Sequence, residues 1–116
     1  MVKKILIVDD KLEDLQTMQN ILEAEEYIIH TAENGANALD ILASTNFDLI
    51  LIDIKMPTLS GYDLLKVLKE RISKNVKIIY VSIVPKKEVN LEGVDGFIQK
   101  PFSKTTLLKA VRGGTK

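Results

Sequence analysis

The chain has 116 residues with sixteen basic and sixteen acidic side chains, so its formal net charge is zero. This balance argues against a broad electrostatic surface for DNA, RNA or anionic lipid, and we expect the chain to bind neither nucleic acid nor membrane. There is no cysteine, which excludes thiol catalysis, disulfides and cysteine-ligated zinc. The length suits a single domain over residues 1–116, and the first apolar run is too short for a signal peptide, so we expect a cytoplasmic protein.

Short apolar runs alternate with stretches of helical period along the chain. Runs rich in Val, Ile or aromatic residues predict five strands, at residues 5–8, 27–31, 49–52, 78–81 and 96–98. Apolar residues spaced three or four apart predict helices at residues 12–22, 39–42, 64–72 and 107–111. The segment 85–92 has room for about two helical turns, so a helix there is expected to be short or absent.

The composition of the strands predicts how the sheet is built. The first, third and fourth runs are apolar at nearly every position, as in parallel strands covered by helices on both faces. The second run carries His30 and Thr31 and is expected at an edge, with His30 toward solvent. Alternating strands and helices with right-handed crossovers predict an α/β fold: a doubly wound, five-stranded parallel sheet in the order 2-1-3-4-5, a flavodoxin-like three-layer sandwich.

Charged residues follow three of the predicted strands. Asp9 and Asp10 come after the first strand, Asp53 after the third and Lys100 after the fifth. The carboxyl ends of parallel strands lie at one edge of the sheet, where such folds bind ligands, so these side chains are expected to meet. An Asp-Asp pair alone would suggest a helix cap, but together with Asp53 and Lys100 it favours a functional site.

Three carboxylates in one crevice need a cation. Each pair repels by about 4 kcal/mol at roughly 4 Å with an effective dielectric constant of ~20. Mg²⁺ suits one or two carboxylates with waters and a backbone carbonyl better than Ca²⁺ does, and zinc is disfavoured by the single histidine. A divalent ion and Lys100 would bring the formal charge of the site to zero, so that it could accept an incoming phosphoryl group.

Four segments carry the motifs around these charged residues: Val-Asp-Asp at 8–10, Asp-Ile-Lys-Met-Pro-Thr-Leu-Ser-Gly at 53–61, Val-Ser at 81–82 and Lys-Pro-Phe at 100–102. Together they resemble the receiver domain of two-component response regulators, including the chemotaxis regulators, and the resemblance covers the whole chain. It implies a phosphorelay protein without an output domain in this chain. The phosphoryl donor would be a sensor histidine kinase or a phosphotransfer protein, and the signal would pass to an unknown downstream protein.

The resemblance implies roles in phosphoryl transfer and switching. Asp53 would be the phosphoacceptor, in a protein that catalyses its own aspartyl phosphorylation and slow dephosphorylation without being a conventional enzyme. Lys100 would pair with the phosphoryl oxygens, and Ser82 would donate a hydrogen bond to one of them. Phe97 would be the switch aromatic, and the peptide bond before Pro101 would be cis.

The resemblance also implies a metal site. Asp10, Asp53 and the backbone carbonyl of Lys55 would bind Mg²⁺ directly, and Mn²⁺ could substitute. Asp9 would act mainly through a coordinated water.

Three residues near the site depart from the family pattern. The residue after Ser82 is usually small because it flanks the path to the phosphoacceptor, and here Ile83 predicts a partly shielded site. Lys55 and Val84 occupy positions that influence how water reaches the acyl phosphate. A lysine and an apolar residue at these positions predict slow autodephosphorylation.

Other protein classes share part of this pattern. A hydrolase of the haloacid dehalogenase type needs Asp-x-Asp after the first strand, whereas the acids here are adjacent. A flavodoxin-like electron carrier needs a Ser/Thr-rich phosphate loop, whereas residues 11–14 read Lys-Leu-Glu-Asp. A pseudo-receiver that binds a partner without phosphorylation stays open, because Ile83 and the short segment 85–92 are compatible with lost switching.

Overall fold

The computed structural model describes residues 3–115, which contain a five-stranded parallel sheet and four α-helices. The strands are β1 Lys4–Val8, β2 Ile28–Ala32, β3 Leu49–Ile52, β4 Lys77–Ser82 and β5 Gly96–Gln99. The helices are α1 Leu12–Glu23, α2 Gly35–Leu42, α3 Gly61–Arg71 and α4 Lys104–Gly114. The sheet order is β2-β1-β3-β4-β5, which confirms the predicted fold class and topology.

The predicted strands all form, and their ends differ from prediction by at most one residue. β2 lies one residue further along the chain than predicted, and β4 is longer by one residue at each end. Shifts of this size are usual, because strand ends depend on cross-strand pairing that the sequence does not show. Among the described helices, none is long and apolar enough to cross a membrane.

The sheet is buried on both faces, and alternate strand residues belong to different layers. One layer packs strand residues against α2 and α3: Leu6, Val8, Ile50, Ile52, Ile78, Tyr80, Ala38, Leu64 and Leu68. The other packs strand residues against α1 and α4: Ile5, Ile7, Leu49, Leu51, Ile79, Val81, Leu15, Met18, Leu22, Leu107 and Val111. Each fully buried Leu or Ile contributes roughly 1.5–3 kcal/mol, so the two layers hold the strand ends in fixed positions.

Three of the helices begin at a side-chain cap. Asn34, Ser60 and Ser103 each accept a hydrogen bond from the backbone N–H three residues later, at 2.8, 3.2 and 3.0 Å. Helix α1 has no such cap at Lys11; instead the Asp9 carboxylate accepts from the Lys11 N–H at 2.9 Å. The predicted Asp pair therefore supports the turn into α1 through Asp9.

The segment between β4 and β5 contains only one turn of 3₁₀ helix, Lys86–Glu88, as its length predicted. The Gln99 side chain holds this segment against the sheet. Its amide nitrogen donates to the carbonyls of Ser82 at 3.0 Å and Val84 at 3.2 Å, and its oxygen accepts from the Lys86 N–H at 3.2 Å. One amide side chain thus fixes the loop that follows β4.

Aromatic contacts fill two positions along the sheet. His30 lies on the edge strand as predicted, but it is half-buried and its ring packs edge-on against Phe47 at 5.2 Å instead of simply facing solvent. Tyr80 is fully buried and meets the Tyr62 ring edge-on at 5.6 Å. Burial and the neighbouring Tyr62 raise the pKa of Tyr80 to about 12, and its hydroxyl has no hydrogen-bond partner within residues 3–115.

The loop after β3 makes a very close approach to the start of α3. A Cβ atom at Gly61 would lie 2.4 Å from the Asp53 carbonyl oxygen and 2.8 Å from the Ile54 Cα. The Gly61 N–H donates to the Ile54 carbonyl at 2.8 Å. The left-handed residue of this loop is Thr58, with φ of 69°. Position 61 therefore requires glycine because any side chain there would collide with the backbone of Asp53 and Ile54.

We predict that Gly61→Ala lowers the free energy of unfolding by about 1–3 kcal/mol, because its methyl group must push the backbone apart. Urea denaturation followed by circular dichroism measures the change. Gly113→Ala is the matched control, since a Cβ there would meet nothing within 4 Å. That substitution should stabilise α4 by roughly 0.5–1 kcal/mol. If both substitutions change the free energy of unfolding equally, the backbone at Gly61 does not lie as close to Asp53 and Ile54 as described.

Candidate functional site

The ends of β1 and β3 bring the three predicted aspartates together. The two strands pair in parallel, with Val8 opposite Ile52, so Asp9 and Asp53 follow directly at the same edge. The Asp53 N–H donates to the Val8 carbonyl at 2.9 Å, which extends the pairing into the site. Asp9 and Asp53 are buried, whereas Asp10 is exposed.

The three carboxylates form a compact acidic cluster. One oxygen from each of Asp9, Asp10 and Asp53 lies within 4.8 Å of the others. Burial, the charges of Asp9 and Asp10, and a hydrogen bond with Asp10 together raise the pKa of Asp53 to about 7, against the smaller opposing effect of Lys100. The cluster therefore fits a hard cation, because such an ion would relieve the repulsion.

Lys100 projects into this cluster from the end of β5, and it is also buried. Its Nζ donates to Asp9 Oδ2 and to Asp14 Oδ2, both at 2.8 Å, and lies 3.9 Å from Asp53 Oδ2. Burial lowers the pKa of Lys100, but the hydrogen bonds to Asp14 and Asp9 and the charges of Asp9 and Asp53 outweigh it and leave the pKa raised. The surrounding carboxylates therefore stabilise the charged form of the lysine.

Asp14 is a member of the cluster that sequence reasoning missed. It lies in the first turn of α1, where an acidic residue is ordinary because it stabilises the helix dipole. No spacing in the sequence indicates this contact, because Asp10 precedes α1 and Lys100 lies 86 residues after Asp14. With Asp14 included, the site holds four carboxylates against one lysine, one more negative charge than predicted.

Ser82 ends β4 and Phe97 lies in β5, and within residues 3–115 the Ser82 hydroxyl makes no hydrogen bond to the acids. Ser82 is fully buried at the end of β4, and its hydroxyl oxygen accepts from the Val84 N–H at 3.2 Å. The Ser82 carbonyl accepts from the Lys100 N–H at 2.8 Å, which links the ends of β4 and β5. Phe97 is half-buried and pairs with Tyr80 across the same two strands. The Lys100-Pro101 bond is cis, as the resemblance implied.

The three residues that depart from the family pattern line the loops around the site. Lys55 is exposed two residues after Asp53. Ile83 is 53% exposed directly after the buried Ser82, which is high for a large apolar side chain. Val84 is half-buried and packs against the core layer beneath α2 and α3. All three follow strands that end at the site, Lys55 after β3 and the other two after β4.

The chain matches the response regulator receiver domain family over residues 5–112. It is 39% identical to the nisin biosynthesis regulatory protein NisR of Lactococcus lactis, with 100% of this chain and 52% of that protein covered. It is 33% identical to the response regulator SaeR of Staphylococcus epidermidis, with 90% and 46% covered. The chain thus spans about half the length of these relatives.

Solved structures agree with the fold. The response regulator TrrA of Thermotoga maritima, in complex with Mg²⁺-BeF, has a TM-score of 0.88 at 31% identity, with 97% of this chain and 99% of that chain covered. The Vibrio cholerae chemotaxis protein CheY4 has a TM-score of 0.88 at 28% identity, with 97% and 98% covered. By sequence family, by fold and by the acids and lysine gathered at one sheet edge, this chain belongs to the receiver domains of two-component response regulators.

Proposed function

We propose that this receiver domain takes a phosphoryl group onto Asp53 from the phosphohistidine of a sensor histidine kinase or phosphotransfer protein. The observation that supports this most directly is the position of Asp53, which is buried, within 4.8 Å of the Asp9 and Asp10 carboxylates and 3.9 Å from Lys100. The relative TrrA forms a complex with Mg²⁺-BeF, which is consistent with a similar site here. Phosphorylation then changes the binding of a downstream protein.

The proposed transfer needs little beyond positioning and charge. An Asp53 carboxylate oxygen attacks phosphorus, and an O–P bond forms while the P–N bond to the histidine breaks. The imidazole leaves with the electron pair of that bond, as a neutral ring when its other nitrogen carries a proton. Lys100 stabilises the phosphoryl oxygens during this step, and the Ser82 hydroxyl donates a hydrogen bond to one of them.

The residues present fit a Mg²⁺ site, in which Mn²⁺ could substitute. Asp10, Asp53 and the Lys55 backbone carbonyl would hold the ion, and Asp9 would act through a coordinated water. When bound, the ion would neutralise part of the carboxylate charge and of the charge that develops on the phosphoryl oxygens. Asp10 is the exposed member of the cluster, so the ion can enter from its side.

The proposed switch is a shift between two populations. The phosphoryl group interacts better with the state in which Ser82 and Lys100 close on it, so phosphorylation favours that state. Phe97 turns inward as Ser82 moves. Because Phe97 is only half-buried, its ring has room to change position.

The same loops tune the lifetime of the acyl phosphate. Lys55 and Val84 impede a water that would approach in line with the P–O bond, and slow autodephosphorylation follows. Ile83 shields the phosphoacceptor from small donors.

Phosphorylation should depend on the Asp53 carboxylate. Incubation of the wild type with acetyl phosphate and Mg²⁺ should add one phosphoryl group in an intact-mass measurement, and omission of the metal should abolish the addition. Asp53→Asn should show no addition while it retains the far-ultraviolet circular dichroism of the wild type. Asp40→Asn, an exposed acid on α2, is the control and should label normally. Undiminished labelling of Asp53→Asn would place the acceptor elsewhere.

Metal-free stability should depend on pH through Asp53. Its pKa is about 7 in the folded protein against an ordinary 3.8, so between these values the folded state holds a proton that the unfolded chain has lost. The free energy of unfolding of the wild type should therefore fall as pH rises from about 4 to 7. In a chelating buffer, Asp53→Asn should become more stable than the wild type by about 1–4 kcal/mol above pH 7, and by nearly nothing below pH 4.

Urea denaturation at several pH values measures this difference, with Asp40→Asn again as the control. Addition of Mg²⁺ should reduce the advantage of Asp53→Asn, because the ion relieves the repulsion in the wild type. If the difference in the free energy of unfolding between Asp53→Asn and the wild type does not change with pH, the pKa of Asp53 is not raised in the folded protein.

Ile83→Ala should be phosphorylated faster than the wild type by acetyl phosphate. An increase of about twofold or more is expected, since a twofold change needs only ~0.4 kcal/mol off the barrier. Rapid-quench labelling followed by mass spectrometry gives the rate. Leu12→Ala, another exposed apolar side chain at 60%, should leave the rate unchanged. Equal rates for Ile83→Ala and the wild type would mean that Ile83 does not shield the site.

A further inference from the structure

We propose that Asp14 is a positioning residue that withholds Lys100 from the phosphoryl group, so that Asp53 is phosphorylated only as the salt bridge between Asp14 and Lys100 gives way. This inference rests on the proposed function, and it assigns a regulatory role to a residue outside the predicted site. Asp14 lies on α1, whereas Asp53 and Lys100 follow β3 and β5. The salt bridge therefore joins a helix to the reactive edge of the sheet.

The distances show where Lys100 is directed. Its ammonium group lies 2.8 Å from both Asp9 and Asp14, but 3.9 Å from the nearest oxygen of Asp53. An ammonium group has three N–H donors, and two of them are occupied by carboxylates other than the phosphoacceptor. Lys100 is thus held back from the oxygen on which the phosphoryl group would be placed.

Asp14 is the partner that Lys100 can release more easily. The side chain of Asp14 is 34% exposed, whereas that of Asp9 is fully buried. Water can therefore solvate Asp14 after the contact breaks, while a freed Asp9 would remain a buried charge without its partner. The movement of Lys100 toward a phosphoryl group accordingly separates it from Asp14 first.

The charge of the cluster points in the same direction. A divalent ion and Lys100 balance three of the four carboxylates, which leaves a net charge of minus one before any phosphoryl group arrives. A phosphoryl group adds further negative charge. Asp14 therefore opposes the phosphorylated state both by repulsion and by competition for the lysine.

A purely structural role for Asp14 can be separated from this one. An acid in the first turn of a helix stabilises the helix dipole, and Glu13 occupies the same turn. Glu13 is exposed, and its side chain makes no hydrogen bond or salt bridge within residues 3–115. Glu13→Gln is therefore a matched control, since it removes one negative charge from the same turn and leaves Lys100 untouched.

The test is a titration of the folded protein with beryllofluoride, a phosphoryl analogue, at saturating Mg²⁺, followed by proton–nitrogen NMR. Asp14→Asn should bind beryllofluoride about two- to fivefold more tightly than the wild type, the range set by the strength of a partly exposed ion pair. Glu13→Gln should bind like the wild type. The side-chain ammonium signal of Lys100 should shift in Asp14→Asn before any ligand is added, and should stay in place in Glu13→Gln.

Each other outcome overturns the proposal in a distinguishable way. Weaker binding by Asp14→Asn would mean that Asp14 presents Lys100 to the phosphoryl group. Equal tightening by both variants would mean a general effect of charge on α1, and unchanged binding by Asp14→Asn would mean no competition. If the wild type itself fails to bind beryllofluoride, the proposed function falls and this inference falls with it, whereas the other outcomes leave the proposed function intact.

Discussion

The site depends on the parallel pairing of β1 with β3, which forces like charges together. Because Val8 lies opposite Ile52, the residues that follow these strands cannot separate without breaking the sheet. Two apolar layers hold that sheet, so the repulsion among the acids is imposed by burial elsewhere in the molecule. Burial first, and then the charge of Asp9, raise the pKa of Asp53, so a cation that binds here would stabilise its charged form.

The positive charge of Lys100 offsets part of that repulsion, but this one lysine lies near three acids. Its two short contacts lie on Asp9 and Asp14 and leave Asp53 at a longer distance. Of the two buried acids, Asp53 is therefore the one with less compensation from the lysine.

Much of the fold and of the site could be predicted from the sequence, because both follow from periodicity along the chain. Apolar runs gave the strands, and charges directly after them gave the cluster around Asp53. Asp14 could not be identified in this way, since its reach to Lys100 depends on how α1 is tilted over the sheet. The role of Gln99 could not be predicted for a similar reason. Its side chain donates hydrogen bonds to the carbonyls of Ser82 and Val84, and the path of that loop is defined only in the folded chain.

The burial of Tyr80 has an optical consequence. The chain contains three tyrosines and no tryptophan, so tyrosine dominates its near-ultraviolet absorption and emission. Tyr80 is rigidly enclosed and pairs with Phe97 across β4 and β5, whereas Tyr27 and Tyr62 are only partly buried. We therefore expect the near-ultraviolet circular dichroism of this protein to include a contribution from a buried phenol that lies opposite Phe97, the aromatic residue of the proposed switch. The molecule contains its own chromophore for following that ring, without an added label.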